Sequence, residues 1–213
     1  MGFEFFATDV LASFVCAIRA NKRSQTGPVL FRSYAAKGAD DLRPAIWEVA
    51  RATSAASLFF DSMAIGKYGE TFVDGGGGFN NPVQQALDEA IACWKNRDIQ
   101  CIISIGTGKS SLKAFGSNII ELGKTLVDIV TEADKTAAIF AHAHPQYPQY
   151  DQKGMATVLY RFQVEQGLED VGMAEHKKIG DIAAATRIYM MDADQVGKKQ
   201  LNVFGALMAG SCE

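Results

Sequence analysis

The sequence predicts an α/β fold, with helices packed on a sheet. Three observations predict it. Segments rich in β-branched and aromatic residues alternate with segments of helical apolar periodicity. One run, 99–105 (IQCIISI), is nearly unbroken in its apolar character, as in a central strand covered on both faces of a mostly parallel sheet. No linker and no internal repeat divides the 213 residues, so a single domain over 1–213 is expected.

Residues 12–18 (ASFVCAI) and 29–34 (VLFRSY) are strand-forming runs separated by a polar stretch containing Gly27 and Pro28, which reads as a long hairpin. Asp40 or Asp41 then offers a helix cap and Pro44 stands near a first turn. Ile46, Trp47, Ala50 and Ala55 follow at roughly helical spacing, predicting a helix over about 43–56. Two short extended pieces, 63–65 and 70–73, flank Gly66-Lys67-Tyr68-Gly69, a turn-rich tetrapeptide. The second piece runs straight into Asp74 and four glycines.

Asn81-Pro82 marks a helix start, because asparagine accepts from free amides and proline at the first helical position has no amide to satisfy. Val83, Leu87, Ala90, Ile91 and Trp94 give that helix its buried stripe. After the apolar strand, Ile119, Leu122, Leu126, Ile129 or Val130, Ala133, Ala137 and Phe140 spell a long amphipathic helix, ended by a loop over 142–152 with two prolines. Over 157–165 (TVLYRFQVE), Val158, Tyr160, Phe162 and Val164 alternate with Arg161, Gln163 and Glu165, predicting a strand with one wet face. Helices over about 174–192 and 195–208 finish the chain.

Composition narrows the function classes. The chain is 48% hydrophobic and 21% charged with a net charge of -3, which is ordinary globular protein without the basic footprint of a nucleic-acid binder. Cys16, Cys93, Cys101 and Cys212 form no C-x-x-C pair, which argues against a zinc cluster and a disulfide framework and for free thiols in a reducing compartment. The apolar stretch 3–18 is broken by Glu4 and Asp9 and lacks a basic lead, so it is a poor signal peptide; Phe6 stands where N-myristoylation wants serine or threonine. No apolar run reaches the roughly 18–20 residues that cross a bilayer, and a cytoplasmic chain without a transmembrane segment is expected.

Three blocks in a fixed order carry a specific resemblance: 51–61 (RATSAASLFFD), 69–76 (GETFVDGG) and 80–83 (NNPV). Together they resemble the C-terminal part of patatin-like phospholipase domains, particularly fungal ones, and the likeness continues through 100–108 (QCIISIGTG) and 160–170 (YRFQVEQGLED). The resemblance implies a three-layer α/β/α patatin-like sheet that cleaves acyl esters of lipids with a Ser/Asp dyad and needs no metal or cofactor. The family's D-G-[GA] motif falls on Asp74-Gly75-Gly76, which makes Asp74 the catalytic base and places Gly75 and Gly76 against the substrate. The family's oxyanion loop and its G-x-S-x-G elbow normally precede everything matched here. The sheet is therefore expected to be incomplete on its N-terminal side, and the chain to be inactive by itself.

A serine hydroxyl is a weak nucleophile, and a carboxylate at hydrogen-bond distance can take its proton during attack on an ester carbonyl. Glycines after such an aspartate leave room for substrate and for the serine. Asp-Gly also has a plainer use, as one of the commonest turn dipeptides.

No serine of the chain sits in G-x-S-x-G. The nearest approach is Gly108-Lys109-Ser110-Ser111-Leu112, where Leu112 would crowd a tight elbow. Ser54 reads as a packing or capping residue. The glycines at 75–78 lack the [RK]-G that follows an oxyanion loop, because Phe79-Asn80 stands there. Gly108-Lys109-Ser110 suggests a phosphate-binding loop broken by Ile103, where the full pattern needs glycine.

His142, His144 and His176 are too few and too scattered for a metal site. Lys135, Lys177 and Lys178 read as solvated helix faces and Met190-Met191 as core filler. A sheet without its nucleophile strand would carry an unpaired edge, and self-association through that edge is expected.

Overall fold

Two runs of strand-forming sequence and a helix with small residues at its end build the first half of the fold. The structure, a computed structural model, describes residues 12–21, 27–36, 42–56, 59–99, 101–109, 120–145, 159–169, 171–172, 175–192 and 196–209. Asp40, Asp41, Ser110, Val158, Asp170, Cys212 and most of the 142–152 loop lie outside these. The chain divides into two compact units, Met1–Pro82 and Val83–Glu213, each described by itself.

In the first unit, β1 (Phe14–Arg19), β2 (Val29–Arg32), β3 (Met63–Ile65) and β4 (Glu70–Asp74) form one sheet in the order β2-β1-β4-β3. The two hairpins are as expected, β1 with β2 and β3 with β4, the second closed by Gly66 and Gly69 at φ +78° and +64°. The sheet is antiparallel throughout. Its strands are joined by hairpins, and the long connection through α1 (Ile46–Thr53) returns the chain to β3 antiparallel to β4.

The expected helix over 43–56 is shorter at both ends. Pro44 disfavours helical backbone at Arg43, and Ala45 stays extended at ψ 155° as the cap. Glu48 supplies the missing cap interaction by accepting the Ala45 amide at 2.7 Å. Helix α1 covers one face of the sheet, where Ala17, Val29, Phe31, Ala52, Ile65 and Phe72 form a core flanked by Leu42, Val49 and Met63. Phe31 and Phe72 meet edge to face with ring centroids 5.2 Å apart. The Arg19 guanidinium lies 5.7 Å over the Phe72 ring and donates to Glu70 at 2.7 Å, closing the core at the strand's start.

In the second unit, α2 (Val83–Cys93) begins directly after Asn81-Pro82, as its start signal predicts. It packs with α3 (Ile120–Ala143) through Val83, Leu87, Phe140 and Leu159. Helix α3 runs through His142 to Ala143, one residue past the expected start of the loop. Strand β5 (Ile102–Ile105) lies parallel to β6 (Leu159–Phe162). A 3-10 turn at His176–Lys178 then leads into α4 (Ile179–Met191) and on to α5 (Lys198–Ala209).

Strand β5 is not covered on both faces; along β6 Tyr160 is buried as expected, and the face expected to be wet is buried at Leu159 and, just past the strand, at Gln163. Ile103 and Ile105 of β5 are 42% and 77% exposed, whereas Leu159 and Tyr160 of β6 are both buried. The polar residues of β6 are satisfied by protein in place of water. Arg161 donates to Ser104 Oγ at 2.9 Å and to Gln163 Oε1 at 3.2 Å and pairs with Asp134 at 3.5 Å, while the backbone amide of Gln163 donates to the Tyr189 hydroxyl at 3.1 Å.

Candidate active site

Asp74 is the last residue of β4. Strand alternation puts its side chain on the face of Phe72 and, across the ladder, beside Ala17, at the end of the sheet where α1 stops. The carboxylate is half-buried. Its Oδ1 accepts the Gly76 amide at 2.6 Å, a turn in which the aspartate caps the second residue after it. Among the described residues Oδ2 takes no hydrogen bond, so one oxygen is fixed and the other is available to a hydroxyl.

The end of α1 holds this position from the backbone side. Ala52 and Ala55 are fully buried, and with no bulk beyond Cβ they let the helix end approach β1 and β4 closely. The Asp74 amide donates to the Ala55 carbonyl at 3.0 Å, and the Thr53 hydroxyl donates to the Cys16 carbonyl at 2.7 Å. Ser54 is exposed at the helix end and does not pack; a backbone amide there, not its side chain, donates to the Ala52 carbonyl. The RATSAA block is thus a docking surface between helix end and sheet, and its run of small residues is the signal that could have shown it.

The glycine turn curls over the opposite face of the sheet. A Cβ on Gly75 would stand 2.7 Å from the Cys16 carbonyl oxygen, and one on Gly77 would stand 3.3 Å from Ile18 Cδ1. Gly78 sits at φ +127°, where L side chains are strained. Gly75 is buried and its carbonyl accepts the Phe79 amide at 2.8 Å, while Gly76 donates to Asp74. These contacts make the glycine segment a support for the aspartate. Cys16, beneath the turn, has its thiol pushed by burial from 9.0 to about 11, so it stays protonated near neutrality and is no nucleophile.

β4 is flanked on both sides. β1 pairs along one edge to Ala17↔Asp74, β3 pairs along the other to Met63↔Phe72, and Ala55 takes the Asp74 amide beyond that.

The other candidates have structural partners. In the 106–109 loop the Gly106 and Lys109 amides donate to the Phe162 and Val164 carbonyls, so they do not point at a phosphate, and Lys109 faces Glu165 at 3.5 Å. His144 Nε2 is 2.8 Å from Gln84 Oε1 and its ring lies 4.6 Å from that of Phe140. Among the described residues no group of three His, Cys, Asp or Glu could hold a metal ion, and no helix is long and apolar enough to cross a membrane. A cavity of about 10 Å³ between Val83, Ser104, Phe140 and Arg161 has room for one water and not for an acyl chain.

No protein-family model and no solved structure matches the chain. Over 106 residues it is 26% identical to phospholipase A I of Arabidopsis thaliana, covering 49% of this chain and 8% of that protein. Over 86 residues it is 36% identical to calcium-independent phospholipase A2-gamma of Rattus norvegicus and 35% identical to that of Homo sapiens, covering 35% of this chain and 11% of each relative. The chain thus spans about a tenth of the length of the curated relatives it matches. These likenesses support a distant relationship to patatin-like phospholipases, and the fold is mixed α/β.

Proposed function

We propose that the chain is the aspartate-bearing part of a patatin-like lipid acyl hydrolase of the fungal type, with Asp74 as general base of a Ser/Asp dyad. The observation that carries this reading is the Asp74 carboxylate itself, held at a strand end by Gly76 with Oδ2 left open. The phospholipase names of the relatives support a lipid acyl ester as substrate.

In the proposed reaction Asp74 takes the proton of a serine hydroxyl supplied from outside these 213 residues, as the serine oxygen bonds to the ester carbonyl carbon. The protonated Asp74 then gives its proton to the departing alcohol as the ester C–O bond breaks, leaving an acyl-serine. A water, deprotonated by the same carboxylate, releases the fatty acid and restores the serine. Gly76, partly exposed beside Asp74, bears no side chain to obstruct the substrate, and Gly75 is packed beneath it against the Cys16 carbonyl.

A second reading has its own observation. β4 has a partner on each side, and the Asp74–Gly76 turn accounts for the Asp-Gly pair without catalysis, as in a non-catalytic relative that binds lipid or protein. The two readings separate experimentally. A fluorophosphonate probe is expected to leave the 213-residue chain unlabelled and a short-chain ester unhydrolysed; stoichiometric labelling of one of its own serines would refute a nucleophile supplied from outside. A G-x-S-x-G segment encoded upstream in the same reading frame favours catalysis, and its absence favours the binding module.

Exposed Ile103 and Ile105 on β5, Ile188 and Met191 on α4, the latter solvent-facing and not the core filler expected, and Leu201 and Phe204 on α5 support self-association of the isolated chain. Sedimentation velocity is expected to show species larger than a 23.0 kDa monomer; a single monomeric boundary at tens of micromolar would contradict this. The free thiols of Cys16, Cys93 and Cys101 suit a reducing, cytoplasmic setting.

A further inference from the structure

We propose that Thr53 is a positioning residue for Asp74, acting through the Cys16 carbonyl; the inference rests on the general-base reading of Asp74. The β1–β4 register runs Arg19↔Phe72, Ile18↔Val73 and Ala17↔Asp74, and stops there. Past that last pair the chain leaves the ladder for the glycine turn, and the Cys16 carbonyl receives the Thr53 hydroxyl at 2.7 Å.

A threonine on a helix commonly returns its hydroxyl to a carbonyl of its own helix. Thr186 of α4 does so, donating to Ile182 at 2.8 Å. Thr53 instead reaches a strand 37 residues away in sequence. The carbonyl it holds is the wall against which Gly75 packs, 2.7 Å from the place a Cβ would occupy. Gly75 in turn sets the direction of the Gly76 amide, which fixes Asp74 Oδ1 at 2.6 Å. From the same helix end the Ala55 carbonyl takes the Asp74 amide at 3.0 Å. The last turn of α1 thus grips both sides of the aspartate turn, and the hydroxyl of Thr53 is the side-chain part of that grip. Without it the Cys16 carbonyl turns to find another donor, the wall behind Gly75 moves, and Oδ1 loses its fixed partner.

The test follows the Gly76 amide by NMR through the ionisation of Asp74 in the 15N-labelled 213-residue chain, with Asp74→Asn identifying the transition that belongs to this carboxylate. In the unmodified chain and in Thr53→Ser, which keeps the hydroxyl, the Gly76 amide proton moves as Asp74 ionises. In Thr53→Val that movement is lost, while amides of β2 and β3 keep their shifts. A Gly76 response retained in Thr53→Val overturns the inference. So does a Thr53→Val chain that unfolds or disturbs β2 and β3 as much as Gly76, because Thr53 would then support the sheet at large. The readout needs no ester hydrolysis, so a failed dyad and a failed Thr53 role give different results.

Discussion

Asp74→Asn, in a polypeptide that joins these residues to a segment carrying the nucleophile, is expected to lower kcat for ester hydrolysis by about 10²–10⁴-fold, the range a positioned general base supplies. The replacement is nearly isosteric, and its carboxamide oxygen can still accept the Gly76 amide that Oδ1 accepts at 2.6 Å. The turn and the strand end should therefore survive, with the melting temperature little changed. What disappears is the capacity to take a proton. KM should stay near its original value, since the interaction removed belongs to the transition state and not to lipid binding. Steady-state kinetics beside a thermal melt check all of these, and equal turnover with and without the carboxylate would leave Asp74 as a turn residue.

Phe72→Ala is expected to destabilise the protein by about 3–5 kcal/mol, the usual cost of truncating a fully buried aromatic. Phe72 is completely shielded from solvent, meets Phe31 edge to face and lies under the Arg19 guanidinium. A domain's entire stability is only about 5–15 kcal/mol, so the loss could unfold the first unit outright. Phe72→Leu retains most of the apolar volume and should be milder. Urea titration of both variants measures the difference, and a loss below about 1 kcal/mol for the alanine variant would contradict the core described around β4. Because Phe72 stands two residues before Asp74 on the same face, the core and the candidate site share one strand.

Local signals made the first unit legible in the sequence. The hairpin of β1 and β2, the Gly66–Gly69 turn and the end of β4 at Asp74 all depend on residues close together in the chain, and each lies where its signal places it. The helix start after Asn81-Pro82 was legible for the same reason.

What depended on distant partners was not legible. Periodicity treats Arg161 and Gln163 as facing water, whereas the Arg161 guanidinium meets Ser104, Asp134 and the Gln163 side-chain oxygen inside the protein. The same reasoning gives β5 two covered faces, yet Ile103 and Ile105 are exposed. The direction of the strands in the first sheet follows from register between β1 and β4, which no window of sequence contains. Thr53 was missed because its meaning lies in one hydrogen bond to a strand 37 residues earlier. The D-G-G motif named Asp74, Gly75 and Gly76 as candidates, and these residues stand at the end of β4 and in the turn after it. The supporting helix end was written in the small residues Ala52 and Ala55, whose purpose shows only against β1 and β4.

The central claim is that the Asp74 carboxylate activates a serine hydroxyl, and the rate of covalent labelling by a fluorophosphonate measures that step without depending on the lipid or on departure of its alcohol. In the completed polypeptide the elbow serine should label rapidly and stoichiometrically with Asp74 present, and at least 10²-fold more slowly in Asp74→Asn, the lower end of a base's usual contribution. Labelling at the same rate in both would contradict the account, whatever the sequence likeness to phospholipases.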